Sequence, residues 1–306
     1  MHKQNKAYLY AGASIIAWST ISTAFKLSLQ YLTPVGLLLF SSFTAFLVLG
    51  IINLLIKPAD LTHRSWFPKT RDNLKKSLFA GLLNPFIYYL MLFEAYSRLR
   101  AQEAQALNYT WAIVLALFSI WLLKEKFHLT DLIALLISFF GVWIISTKGQ
   151  ITALKLDDAF GSFLAISTSL IWALYWIRNR KDKRPASVKL CYNFFIGFML
   201  IAIFVIVTRS KLFTFKAIYS YGILGGIYVG IFEMGLTFLL WNKALELTDN
   251  TSSISNMIFF TPFISLLFIG LILKESIHYA TFIGLLLIVF SNLLQKGLPG
   301  ILKRNY

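Results

Sequence analysis

Apolar residues run through this chain in long blocks, not in the short alternations of half-buried strands or the one-sided stripes of soluble helices. About 20 predominantly apolar residues cross the hydrocarbon core of a bilayer as a helix. Ten blocks approach that length, at approximately 7–27, 34–56, 76–97, 103–122, 129–147, 158–178, 187–207, 219–241, 250–272 and 278–296. Charge, Pro, Asn or Asp marks the breaks, and the longest of them, Lys57 to Lys75, has the size of a surface loop. The pattern predicts an all-α integral membrane protein with ten transmembrane helices.

The pattern also recurs within the chain. Glu103 to Glu125 reads EAQALNYTWAIVLALFSIWLLKE, and Asp249 to Glu275 reads DNTSSISNMIFFTPFISLLFIGLILKE. Thr110-Trp111 falls opposite Thr261-Pro262 and Lys124-Glu125 opposite Lys274-Glu275, an offset of 150 to 151 in 306 residues. The chain therefore reads as a duplicated half, with repeats at 1–150 and 151–306. Five helices per half is an odd number, so the second repeat enters the membrane upside down. Inverted five-helix repeats are an architecture of secondary transporters, with the substrate near the midplane between the halves.

Composition agrees with a membrane protein. Hydrophobic residues make up 58% of the chain and charged residues 14%, against roughly 45–50% apolar in soluble domains. A net charge of +16 would suggest nucleic acid in a soluble protein, but here the basic residues sit in the breaks. The expected partner is the lipid bilayer surface and not nucleic acid. With the N-terminus inside, inner segments carry 20 of the 29 basic residues and outer loops 9. Both termini are thus expected in the cytoplasm, in a multi-pass protein of the cell (inner) membrane of a prokaryote. Cys191 is the single cysteine, which excludes an intramolecular disulfide. The histidines (His2, His63, His128 and His278) lie in tails, loops or helix ends and form no metal-like pair. No GxxxxGK[ST] stretch and no nucleophile–base motif occurs, so no cofactor, metal site or enzymatic activity is expected.

Polar groups inside spans are costly against lipid and are expected to face the bundle. The first span sets Ser14, Trp18 and Ser22 on one stripe. The third gathers Gly81, Asn84 and Tyr88, the fourth Asn108 and Trp111, the sixth Ser169 and Trp172, and the ninth Asn256. Trp and Tyr give flat apolar walls with one polar handle each. Trp18, Trp111 and Trp172 weigh evenly between cavity lining and packing, whereas Trp176, near a span end, reads as an interface aromatic. Pro85 and Pro262 are expected to kink their helices and to release the carbonyls of Gly81 and Ile258. Lys26 is expected to snorkel outward, and Glu94 lies close to a helix end.

The eighth span carries the most. Gly222, Gly226 and Gly230 recur at every fourth residue, a stripe for close helix approach. Glu233 and Thr237 follow on the same face. The duplication places Glu233 opposite Asn84, at an offset of 149, so that both would face one cavity. A permanent charge at that depth costs about 3 kcal/mol on insertion scales. Glu233 is the candidate coupling residue, exchanging a proton or pairing a cation; the bland alternative is a protonated Glu that bonds a neighbouring helix. No Lys or Arg sits at the centre of a span, which argues against a phosphorylated or strongly anionic substrate.

The same residues carry a resemblance. Ala17-Trp18-Ser19-Thr20, Asn108-Tyr109-Thr110-Trp111, Ile171-Trp172-Ala173-Leu174-Tyr175, Phe260-Thr261-Pro262 and the two Lys-Glu pairs resemble the drug/metabolite transporter superfamily, EamA type. Similarity is greatest to the branch holding the bacterial aromatic amino acid exporter. It covers nearly the whole chain. One departure is Ala112, where the family often has Pro after the Asn-Tyr-x-Trp stretch. The resemblance implies a central cavity and the export of small metabolites.

The expectation is therefore a secondary active transporter exporting a small metabolite, either an amino acid (aromatic or other neutral or zwitterionic) or an organic cation. Protons are the candidate coupling ion. A passive channel or facilitator is the alternative, and an integral membrane enzyme a more distant one. One chain supplies both halves, so a monomer is compatible with the plan.

Overall fold

A chain in hydrocarbon must satisfy its backbone hydrogen bonds internally, and long apolar blocks do so as helices. The computed structural model describes residues 3–55, 68–123, 129–150, 158–214, 219–249, 254 and 257–302. The first two helices are α1 (Lys3–Ser28) and α2 (Pro34–Leu55). Helix α2 starts at Thr33-Pro34: the Thr33 hydroxyl accepts from the Gly36 amide at 3.0 Å, and Pro at the first position loses no helical bond. Next come α3 (Arg71–Gly81), a π-helical turn (Leu82–Ile87) and α4 (Tyr88–Arg98). The α3 start is capped by Thr70.

Helices α5 (Ala101–Asn108), α6 (Trp111–Leu123) and α7 (Leu129–Ser146) follow. Then come α8 (Ala159–Lys181), capped by Asp158 at 2.7 Å, and α9 (Ala186–Thr208), which ends on Arg209 at φ 51. A second π-helical turn (Gly230–Gly235) joins α10 (Tyr219–Val229) to α11 (Leu236–Leu247). A 3₁₀ turn (Ile258–Phe260) leads into α12 (Thr261–Ile272), and α13 (Tyr279–Leu302) closes the described chain.

Six helical stretches among the described residues are long and apolar enough to cross a membrane: Pro34–Leu55, Arg71–Arg98, Ala101–Leu122, Ala159–Asn179, Ala186–Thr208 and Ser220–Leu247. Shorter apolar helices cover Leu132–Ser146, Ile258–Ile272 and Tyr279–Leu294. Their outward faces are apolar: Leu271 is 78% exposed and Trp121 73%. A soluble protein seldom shows so much apolar surface, and lipid is its natural cover.

Helix α1 packs along α10, α11 and α12, α4 and α6 pack on α8, and α7 pairs with α13. Helix α2 lies between α9 and α10. Serines tie α1 in place. Ser14 Oγ donates to the Tyr10 carbonyl at 2.9 Å and reaches the Thr237 carbonyl at 3.5 Å. Ser19 Oγ donates to the Ile15 carbonyl at 2.7 Å and the Thr261 carbonyl at 3.2 Å.

The two interruptions correspond. Both bounds of the second π turn lie 148 residues after those of the first. In the first, Asn84 takes an extended conformation (φ −142, ψ 115) before a cis Pro85. In the second, Gly235 departs from helix at φ −107, ψ −94. Each break begins at a glycine against a neighbouring backbone. A Cβ on Gly81 would lie 2.6 Å from the Asn193 carbonyl oxygen, and one on Gly230 would lie 2.5 Å from that of Ser41. No larger residue fits either approach without displacing α9 or α2.

Pro262 is a correction to the expected kink. It sits in the first turn of α12, where no amide of the preceding turn is lost. Pro85 does interrupt its helix. Lys124-Glu125, Ser255 and the candidate Asn256 lie outside the described residues.

Candidate functional site

Between α1, α4, α5, α6, α8, α11 and α12 lies a cavity of about 610 Å³, within the usual range for small-ligand pockets. Of the candidate residues, Trp18, Ser22, Tyr88, Asn108, Trp111, Trp172 and Glu233 line it. The fold also brings to the wall Phe25, Tyr96, Gln105, Tyr109, Trp176, Phe238 and Trp241. Three candidates are absent from the wall. Ser14 is turned into the α1–α11 contact. Thr237 is fully buried, and its hydroxyl donates to the Phe232 carbonyl at 2.5 Å, within the π turn. Asn84 is 1% exposed and lies beside Tyr175 of α8, which also meets Asn193 of α9. The extended backbone at Asn84 rotates its side chain out of the helical stripe it shares with Gly81 and Tyr88 in sequence.

The aromatic wall is held by its own contacts. Tyr88 stacks on Trp172 with centroids 4.8 Å apart at 30°. Trp172 meets Phe238 at 5.8 Å and Trp176 at 6.1 Å. Trp18 packs edge-on against Phe238 at 5.4 Å and tilts against Trp241 at 5.6 Å. Asn108 orients this layer: its amide donates to Thr168 Oγ1 at 2.8 Å and to the Tyr88 hydroxyl at 3.4 Å. The next residues lock the α5–α6 joint to α8, through Thr110 and Ser169 hydroxyls 2.7 Å apart.

Glu233 lies in the second π turn. The Tyr89 hydroxyl donates to its Oε1 at 2.9 Å. Tyr89 is fully buried at the start of α4, just past the first π turn. The partner of Glu233 is therefore Tyr89 and not Asn84. Among the described lining residues Glu233 is the one carboxylate, and no Lys, Arg or His is present. Mutual attraction between an ionised Glu233 and a bound cation is strong in such a low-dielectric site.

Toward the α1 C-terminus, side-chain contacts join α1 to α4 across the end of the cavity. Phe25 and Tyr96 meet edge-on at 5.1 Å, and the Tyr96 hydroxyl sits 2.7 Å from Ser22 Oγ. Lys26, near the end of α1, donates to the carbonyls of Tyr96 at 2.8 Å and Leu99 at 2.6 Å, at the C-terminal end of α4. Beyond lies a second cavity of about 320 Å³, which also uses Tyr96 as wall, with Lys26 and Glu275. Glu275 accepts from the Ala101 amide at 3.2 Å, at the start of α5. Gln102 reinforces the latch: its amide donates to the Ser276 carbonyl, and its side-chain oxygen accepts from the His278 amide, both at 2.9 Å.

Comparisons with known proteins agree with this architecture. The sequence model of the EamA-like transporter family matches residues 5–147 and residues 159–294. A protein of Clostridium kluyveri described as an uncharacterized transporter is 25% identical over 296 residues, spanning 95% of this chain and 93% of its own length. A solved crystal structure shares the fold at a TM-score of 0.65 and 20% identity, over 97% of this chain and 99% of that one. The chain is a multi-pass membrane protein and belongs to the EamA-like transporter family.

Proposed function

We propose that this chain is a secondary active exporter of a small metabolite, an amino acid or an organic cation, which it binds in the central cavity between two inverted repeats. The observation that carries the proposal is Glu233, a lone carboxylate on an aromatic wall at an interrupted helix. It is bonded to Tyr89 at the end of the other interruption. An acid at this depth is costly unless it works. In the proposed cycle a proton on Glu233 leaves when a cationic group of the substrate arrives, and a proton from the other side replaces that group after release. Charge in the cavity then stays balanced, and inward protons drive outward substrate.

The corresponding π turns support a pair of hinges. Each replaces a straight helix by two segments whose angle can change, as expected of the discontinuous helices around transporter sites. With both termini in the cytoplasm, as the basic bias of the loops suggests, we read the end at Tyr96, Lys26 and Glu275 as a closed outer end and assign the cavity to the inward side. A closed outer end favours a transporter over a passive channel. Counterflow in proteoliposomes tests this reading: unlabelled substrate trapped inside should accelerate entry of labelled substrate. Flux that trapped substrate leaves unchanged describes a pore.

A further inference from the structure

The chemistry of the wall narrows the substrate class. This inference rests on the transport reading for the direction of movement alone, since selection happens on binding. We infer that the cavity selects an amine-type organic cation with an apolar or aromatic body and no carboxylate, and that amino acid zwitterions are rejected.

Among the described lining residues the charge is a single carboxylate, Glu233, with no Lys, Arg or His to meet a substrate anion. The wall's polar atoms lean the same way. Gln105, 5% exposed, has a side-chain oxygen without a hydrogen-bond partner. An acceptor in that state is matched by a ligand N–H. The amide donor of Asn108 is already spent on Thr168 and Tyr88. Trp176 Nε1 and the Thr261 hydroxyl are further buried groups without a partner, but neutral donors do not balance the charge of a carboxylate. Trp18, Trp111, Trp172 and Trp241 surround the space, and indole faces attract cations most strongly when water is excluded.

An amino acid would satisfy this wall with its ammonium and offend it with its carboxylate. That second charge would be buried beside Glu233 without a positive partner, the arrangement in which desolvation outweighs attraction. Removing the carboxylate, or masking it as an ester, removes the penalty and keeps every favourable contact.

The test compares three probes with one body: phenethylamine, phenylalanine methyl ester and phenylalanine. Their dissociation constants for the purified full-length protein are read from quenching of intrinsic tryptophan fluorescence at pH 7. The amine and the ester are expected to bind at least tenfold more tightly than the amino acid. Glu233→Gln, checked for folding by thermal unfolding, is expected to abolish that preference. Phenylalanine binding as well as phenethylamine, or no binding by either the amine or the ester, overturns the inference. The two readings fail separately. Amine binding without counterflow leaves the selectivity standing and sinks the transporter reading; counterflow of phenylalanine does the reverse.

Discussion

The Tyr89 hydroxyl donates to a carboxylate oxygen of Glu233 over 2.9 Å, and at that bond the two interrupted helices meet. Tyr89 lies two residues past the end of the first π turn, and Glu233 lies within the second. In the proposed cycle, a change in the state of Glu233 is therefore expected at both interruptions. Charge loss on the carboxylate weakens a bond worth roughly 1.5–3 kcal/mol when the acceptor is ionised, enough to bias a two-state hinge by an order of magnitude or more. The proposed coupling between substrate, proton and helix angle thus rests on one side chain and its donor.

Under the proposed function, the tryptophan wall is expected to set affinity more than rate. Trp18→Ala and Trp111→Ala are expected to weaken apparent substrate affinity by roughly fivefold each, the loss of about 1 kcal/mol of aromatic contact. For the buried Trp172, 8% exposed, Trp172→Phe is the better variant, because full truncation in a packed core costs about 3–5 kcal/mol of stability. Initial rates against substrate concentration measure the effect. Unchanged affinity in all three variants would make these rings packing residues.

The closed end is expected to open when its latch is cut. Glu275→Ala leaves the α5 start and Gln102 without their carboxylate. The reporter is Ile21→Cys, on the cavity wall, in a Cys191→Ser background. An impermeant thiol reagent added outside the cell is expected to label it at least tenfold faster when Glu275→Ala is also present. Equal labelling would show that the latch does not gate. Rapid labelling from outside with the latch intact would reverse the proposed orientation.

At the opposite end of the bundle, Asp182 and Arg184 fix the α8–α9 corner. The Arg184 guanidinium meets Asp182 Oδ2 at 2.6 Å and reaches Ser77 Oγ at 3.0 Å on α3. Partial burial works to raise the Asp182 carboxyl pKa, but hydrogen bonds from the Arg184 side chain and backbone outweigh it and hold the group below the usual carboxylate range. A depressed folded-state value means stability that is present above about pH 4 and lost as pH falls through the folded value. Asp182→Asn is expected to cost about 2 kcal/mol at pH 7, and the gap from the parent protein should close below pH 4. Thermal unfolding in detergent at both pH values measures it. A gap independent of pH would assign the effect to packing.

How much of this was legible in the sequence follows from what a one-dimensional pattern records. Apolar runs such as 34–56 and 187–207 stand in the structure as Pro34–Leu55 and Ala186–Thr208, because run length alone decides a span. Glu233 was legible because a carboxylate inside such a run is costly against lipid. Its true donor was not. Helical periodicity put Asn84 on the cavity stripe, and the extended backbone at Asn84 rotates that stripe. Trp176, read as an interface aromatic from its nearness to a span end, lies on the wall. Trp241 was overlooked, although it continues the fourfold spacing from Glu233 through Thr237. Pro262 looked like a kink because the pattern does not show that a 3₁₀ turn ends just before its helix. Glu275 read as an end marker; its bond to Ala101 joins residues 174 positions apart, beyond any local pattern.

The central claim is that Glu233 exchanges protons for substrate. Glu233→Gln keeps the shape and still accepts from Tyr89, but it cannot titrate. The direct measurement is substrate flux into proteoliposomes holding this variant, with and without an imposed pH gradient, beside the parent protein. The account predicts that the parent accumulates substrate against its gradient when pH drives it, and that Glu233→Gln accumulates none while still folding and inserting. Full, pH-driven accumulation by Glu233→Gln would contradict the account and leave Glu233 as a structural bond between two helices.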